Sequence, residues 1–237
     1  MNSIFEIAKY KLKQIFHSGK YIAPLLCFIF LLFSAYLEAS NNVIVTFSIT
    51  LTIQYIICVW FGFMCNDVED IVIEQLLYLK VNNRYLYYLS ETMLFFCLAF
   101  LMTIFVMLYP AFQFLINPEI VSINYIYIGL ILHISIGMMG LATGSFFHPC
   151  IIKKRKTIVI LILLVLVLSF IKSNIFRENP VWSIVSLLLP PMSEILYSLK
   201  NLTELTSKLT FQITNYAMTY YLIQQTVKVA LLIKRKF

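Results

Sequence analysis

The sequence predicts an all-α integral membrane protein. Its expected parts are six transmembrane helices, an amphipathic N-terminal interfacial helix, a cytoplasmic helix between spans two and three, and a re-entrant or interfacial helical segment between spans five and six. Three observations predict this class. Of 237 residues, 61% are hydrophobic and 12% charged, with a mean hydropathy of +0.87, outside the range of soluble globular domains. Six apolar runs are long enough, or nearly so, to cross a hydrocarbon core about 30 Å thick, which takes about 20 helical residues. The cations gather at alternate ends of those runs, as the positive-inside rule requires. Two regions follow: an interfacial helix over residues 1–20 and a six-span domain over residues 21–237.

Ser3 with Glu6 three residues on forms a capping box, and Gly19 suits a helix C-terminus. Between them Ile4, Ala8, Leu12, Ile15 and Phe16 can face one way while Glu6, Lys9 and Lys13 face another, as in a helix lying among headgroups. The alternative is a plain basic flank of the first span. A secretory leader is not expected, because the apolar run after Lys20 is long and no small-residue cleavage site follows it.

The spans fall at about residues 21–37, 43–65, 92–116, 123–147, 157–176 and 211–233. Links 38–42 and 117–122 are too short to hold a domain. Lys172 must snorkel or lie outside the fifth span, and Lys228 is close enough to the inner end of the sixth to snorkel. With the N-terminus inside, the inner segments collect Lys9, Lys11, Lys13, Lys20, Lys80, Arg84, Lys153, Lys154, Arg155, Lys156, Lys234, Arg235 and Lys236. The outer ones hold only Lys172, Arg177, Lys200 and Lys208. Both termini are therefore expected in the cytoplasm. The net charge of +7 reports topology and contact with a lipid bilayer rather than nucleic acid binding. The bias toward Ile, Lys, Asn, Phe and Tyr points to an A/T-rich bacterial genome, hence a bacterial cytoplasmic membrane.

Residues 66–91 form a polar island. Asp67, Asp70 and Glu74 share one helical face while Val68, Ile71, Val72, Leu76 and Leu79 gather on another. Asn82-Asn83 suits a turn, and a second helical start rich in Tyr85, Tyr87 and Tyr88 leads into the third span. The island reads either as a docking helix beneath the membrane or as an ordinary solvated loop helix.

The spans carry no Asp, Glu or Arg near their centres, and His133 is the one ionisable side chain at mid-membrane. A coupled carrier or pump would need such charges. Thr46, Thr50 and Gln54, four residues apart, make a polar stripe on span two that, with His133, either lines a substrate path or joins helices. Gly129, Gly137, Gly140 and Gly144 mark a small-residue face on span four, read as close packing. Cys27, Cys58, Cys65, Cys97 and Cys150 show no paired or metal-binding spacing, so neither a disulfide framework nor a metal site is expected. Nucleotide-binding, metalloprotease and serine-hydrolase motifs are absent; an enzyme is not expected and no cofactor is assigned to this chain. Late in the chain residues 181–189 are apolar but too short to cross, and Pro190-Pro191 precedes an amphipathic run over residues 192–202.

In its six-span arrangement, N-terminal amphipathic helix, span-two to span-three loop and proline-containing segment before span six, the chain resembles the membrane subunits of type 2 ATP-binding-cassette exporters. The family's loop pattern, Gly-Thr-x-Glu-x-Leu-Leu, is met by Ile71-Val72-Ile73-Glu74-Gln75-Leu76-Leu77, which keeps the Glu and both leucines but not the Gly and Thr. Leu188-Leu189-Pro190-Pro191-Met192-Ser193 is similar to the family's external Leu-x-Pro element. The resemblance implies a permease subunit that pairs with a second membrane subunit, identical or not. It also implies a coupling helix seated in a cytosolic ATPase, with Asp67, Asp70, Glu74, Leu76 and Leu77 as docking residues. ATP and Mg²⁺ would then belong to the partner ATPase, and the cargo would be amphipathic or hydrophobic: a peptide, bacteriocin, lipid or drug. Two other classes remain open, a non-transporting immunity or accessory protein and an autonomous carrier or channel.

Overall fold

The computed structural model describes residues 4–37, 43–68, 73, 76–77, 79, 81, 84–116, 122–176, 189–200 and 207–235. Among these there are eight named helices and no strand: α1 (Ile4–Ser18), α2 (Ile22–Leu37), α3 (Val43–Val68), α4 (Arg84–Ile116), α5 (Ile123–Phe146), α6 (Arg155–Phe176), α7 (Met192–Lys200) and α8 (Ser207–Arg235). Four of them, α3 to α6, contain stretches long and apolar enough to cross a membrane.

The expected count of six spans is not reached by length and composition. At 16 residues α2 rises about 24 Å, short of a 30 Å hydrocarbon core. It qualifies only jointly with α1, from which it is bent by 84°. The elbow turns at Gly19, whose φ of 66° lies in the region that glycine enters without steric cost. The sixth expected span lies within α8, which is long enough at 29 residues. However, Gln212, Asn215, Thr219, Gln224, Gln225 and Lys228 leave it outside the set of apolar candidates.

α5 is the centre of the bundle, buried almost without interruption from Leu132 to Ser145 and packed against α3, α4 and α8. Its glycines make this possible. A Cβ on Gly144 would lie 1.9 Å from the Val59 carbonyl oxygen, and one on Gly62 of α3 would lie 2.1 Å from that of Leu141. The two helices therefore meet backbone to backbone, the contact that holds helices together where no hydrophobic force acts between them. Gly62 is the half of this contact that the small-residue face of span four did not foretell.

α4 runs unbroken from Arg84, so the Tyr-rich start and the third span are one helix of 33 residues. Its Pro110 has no N–H for the carbonyl four residues back. That carbonyl, on Val106, instead accepts the Tyr36 hydroxyl of α2 at 2.5 Å, and Tyr36 stacks on Tyr109 with centroids 4.3 Å apart. Tyr36→Phe should therefore strand a carbonyl away from water and cost about 1–3 kcal/mol. A lowered thermal midpoint in detergent would report it; an unchanged midpoint would remove Tyr36 from this role.

α1 docks on α4 and α3 through Ile7, Ala8, Lys11 and Ile15, while Phe5 and Phe16 are exposed. Phe16 thus departs from the single apolar face expected of it. α1 has two apolar edges, one taken by the bundle and one, with Phe5 and Phe16, left exposed. α6 is the least enclosed candidate span, and beyond its polar first turn it exposes Val159, Ile160, Leu163, Leu164, Val167 and Ile171. α7 folds onto α6 and α3 by burying Met192, Ile195 and Leu199, as the amphipathic run after the prolines foretold. The stretch 181–188 lies outside the described residues.

Candidate functional site

The polar side chains of the apolar helices collect in three places along the bundle axis. The middle group holds the predicted path residues. Thr50 Oγ1 lies 3.0 Å from His133 Nε2, and His133 Nδ1 lies 2.7 Å from the Gly129 carbonyl. A neutral imidazole protonated at Nδ1 fits both contacts, donating to Gly129 and accepting the Thr50 hydroxyl. Gln54 Nε2 donates to Thr103 Oγ1 at 3.1 Å and to the His133 carbonyl at 3.2 Å. Thr46 contributes its carbonyl, 3.1 Å from Thr50 Oγ1. All five side chains are buried, so the stripe turns inward and joins α3, α4 and α5 rather than facing an open passage within one copy. Thr103, on α4, was not singled out in the sequence, where a lone threonine in an apolar run carries no signal of its partner.

The second group lies at the end of the bundle where the basic segments 9–20, 153–156 and 234–235 converge. A cavity of about 30 Å³ is lined there by Lys11, Asn66, Tyr87, Glu91, His148 and Lys228, among others. Glu91 and Lys228 form an ion pair, and Lys228 is 1% exposed. Lys228 therefore does not snorkel, contrary to what its position near the inner end of the sixth span led one to expect. α8 packs beside α5 at a depth that brings Lys228 to the carboxylate at the start of α4, and that contact replaces water. Lys11 donates to the Tyr87 hydroxyl at 3.0 Å, with its ammonium 4.1 Å from the ring centroid, and Asn66 donates to the Ser145 carbonyl at 2.8 Å. The group ties α1, α3, α4, α5 and α8 together at one end. Buried charge of this kind locks an arrangement of helices more than it stabilises them, because desolvation offsets most of the Coulomb attraction.

The third group lies at the far end. Lys172 of α6 is 4% exposed and pairs with Glu194 of α7 at 3.1 Å, while the Ser173 N–H donates to Ser193 Oγ at 3.1 Å. Here too the lysine was expected to snorkel or lie outside. Docking of α7 supplies a carboxylate beneath the surface instead. Beside it a cavity of about 220 Å³ is lined by Glu194, Ser198, Gln212 and Tyr216 with three apolar neighbours.

The predicted docking residues divide. Asp67 closes the last turn of α3, accepting Lys20 at 2.9 Å and Arg155 at 3.0 Å, so it staples the α1–α2 elbow and the start of α6 to α3. Leu76 is exposed and helical, as are Ile73 and Leu79, and Leu77 is half-buried. Asp70 and Glu74 lie outside the described residues. Among the described residues no group of three or more His, Cys, Asp or Glu could hold a metal, and the five cysteines are free thiols. No protein-family model, curated protein or solved structure matches the chain at a significant level.

Proposed function

We propose that this chain is the membrane subunit of a type 2 ATP-binding-cassette exporter. It would have six spans, both termini in the cytoplasm, and a separate ATPase docked on the segment after α3. The observation that carries the reading is the exposure of Ile73, Leu76 and Leu79 on an acidic stretch at the basic end of the bundle. Apolar side chains held outside a span on a charged helix are what a protein groove takes up. The right-angled α1–α2 elbow and the absence of acidic and arginine side chains from the span centres agree with an interfacial helix and with amphipathic cargo moved by a partner's ATP hydrolysis. In this reading the ATPase binds ATP and Mg²⁺, and rocking of the docked segment tilts α3 against the bundle.

The test is mild-detergent purification of the tagged chain from its host membrane. A soluble ATPase with a phosphate-binding loop should co-purify in stoichiometric amount. Glu74→Lys should release it and abolish ATP-driven transport while the chain stays inserted at normal levels. Transport unaffected by Glu74→Lys refutes the docking site. A chain that purifies without any ATPase refutes the exporter reading and leaves a partner-binding or accessory role.

A further inference from the structure

Tyr10, Lys13 and His17 follow one another at steps of three and four, so they share one side of α1. That side is turned away from the bundle, which Ile7, Ala8, Lys11 and Ile15 meet from the other, and Lys13 and His17 are exposed. With Gln14, Ser18 and Val68 the three line a cavity of about 520 Å³ between α1 and the end of α3, a volume suited to a small ligand. The Ser18 hydroxyl donates to the Ile15 carbonyl at 2.8 Å, and Gln14 Nε2 donates to the Tyr10 hydroxyl at 2.9 Å. Tyr10 accepts there, so its own O–H proton is left to donate. The Lys13 ammonium and a ring N–H of His17 are donors too. Donors gathered on one side of a cavity, a cation among them, suit an anion with several oxygens. Glu6 falls on the same side one turn earlier and does not line the cavity.

The depth of the cavity indicates where such an anion comes from. Val68 closes α3, whose 26 residues rise about 39 Å. That exceeds a hydrocarbon core about 30 Å thick, so the ends of α3 reach the headgroup layers. α1 lies at 84° to α2, and Lys20 at their elbow is held by Asp67, the neighbour of Val68. Phe5 and Phe16, eleven residues or about three turns apart, make one exposed apolar line along α1. Lys9, also exposed, stands between that line and the side with Tyr10, Lys13 and His17. Around the helix an apolar edge thus gives way to cations and then to the cavity, the order of chain, phosphate and headgroup in an anionic phospholipid.

We propose that this cavity binds the phosphate headgroup of an anionic phospholipid, held by Tyr10, Lys13 and His17, with an acyl chain along Phe5 and Phe16. The site rests on the membrane embedding of the bundle and not on an ATPase, so it and the exporter reading fail separately. The test titrates the full-length chain in detergent with phosphatidylglycerol, phosphatidylcholine or inorganic phosphate and counts bound ligand by native mass spectrometry. One phosphatidylglycerol is expected to bind several-fold more tightly than phosphatidylcholine, and equimolar inorganic phosphate is expected not to displace it. Lys13→Gln with His17→Gln should weaken phosphatidylglycerol binding several-fold and leave phosphatidylcholine unchanged. Both side chains are exposed, so the thermal midpoint should stay that of the parent chain. Tyr10→Phe, which removes one hydroxyl and keeps the ring, is the second probe and should weaken phosphatidylglycerol alone. Lys153→Gln with Lys154→Gln, which removes two exposed cations from the same end of the bundle, should leave the site intact. Equal binding of the two lipids overturns the proposal, as does binding unchanged in both cavity variants. Displacement by inorganic phosphate overturns it in favour of a free anion, and an equal loss in the Lys153 and Lys154 variant in favour of diffuse surface charge.

Discussion

Gly144→Ala is expected to be among the most damaging single-methyl changes in the protein. The added carbon would sit 1.9 Å from the Val59 carbonyl oxygen and 2.8 Å from the Phe63 nitrogen, both backbone atoms of α3 that no rotamer change can move aside. α3 and α5 must separate by more than an ångström to admit it, and the close contacts along their whole crossing weaken together. Overpacking costs typically about 1–3 kcal/mol where side chains can adjust, and here they cannot, so the upper end of that range or beyond is expected. Gly62→Ala should behave alike, since its Cβ meets the Leu141 carbonyl oxygen at 2.1 Å. Gly19→Ala supplies the comparison. Its new carbon meets nothing nearer than Ile22 Cδ1 at 4.0 Å, so only the positive φ is penalised, at about 1–2 kcal/mol. Thermal melting of the three variants in one detergent, with expression level as a second readout, decides the matter. If Gly144→Ala melts with the parent chain, the backbone contact between α3 and α5 is not where this structure puts it.

Removing one partner of the Glu91–Lys228 pair is expected to be comparably severe, and removing both much less so. Lys228 is 1% exposed, so Glu91→Gln leaves an ammonium facing a neutral amide in a closed site, a change of the kind that costs about 3–5 kcal/mol. Lys228→Met should cost less than Glu91→Gln, because Lys11 lines the same cavity and can neutralise the remaining carboxylate. The double variant, Glu91→Gln with Lys228→Met, should recover most of the loss, since a satisfied apolar and amide pairing of similar volume is often as stable as the ion pair. The measurement is a double-mutant cycle by thermal or denaturant unfolding in detergent. A coupling energy near zero would mean that the two charges do not meet in the folded protein.

The helices were largely legible in the sequence. The capping box and Gly19 bracketed α1, which runs Ile4–Ser18. The Tyr-rich start after Asn82-Asn83 became the first turns of α4, and the prolines at 190 and 191 preceded α7. The glycines of span four were read as a packing face, and their Cβ positions against α3 bear that out. The lysines went the other way. Lys172 and Lys228 were each expected to reach a membrane surface, and each turned inward to a carboxylate, Glu194 and Glu91. A local window could not foresee this, because Lys228 and Glu91 are 137 residues apart in the chain and meet only once α4 and α8 lie at one depth. Asp67 likewise read as a free acidic face until the folded chain brought Lys20 and Arg155 to it.

By itself the sequence determined that this protein is helical and membrane-embedded, because both follow from short-range terms: the transfer of apolar side chains from water, and the need of every backbone amide to bond within its own helix where water is excluded. Where α1 stops is equally local, set by Gly19 with its φ of 66°. Only the tertiary structure decided which polar groups are partners and which face outward. Those depend on the rotation and depth of each helix against its neighbours, and that geometry comes from packing between distant segments. It made the Thr50, Gln54 and His133 stripe a closed joint between three helices, and it turned Gln224 of α8 to the Thr143 hydroxyl of α5.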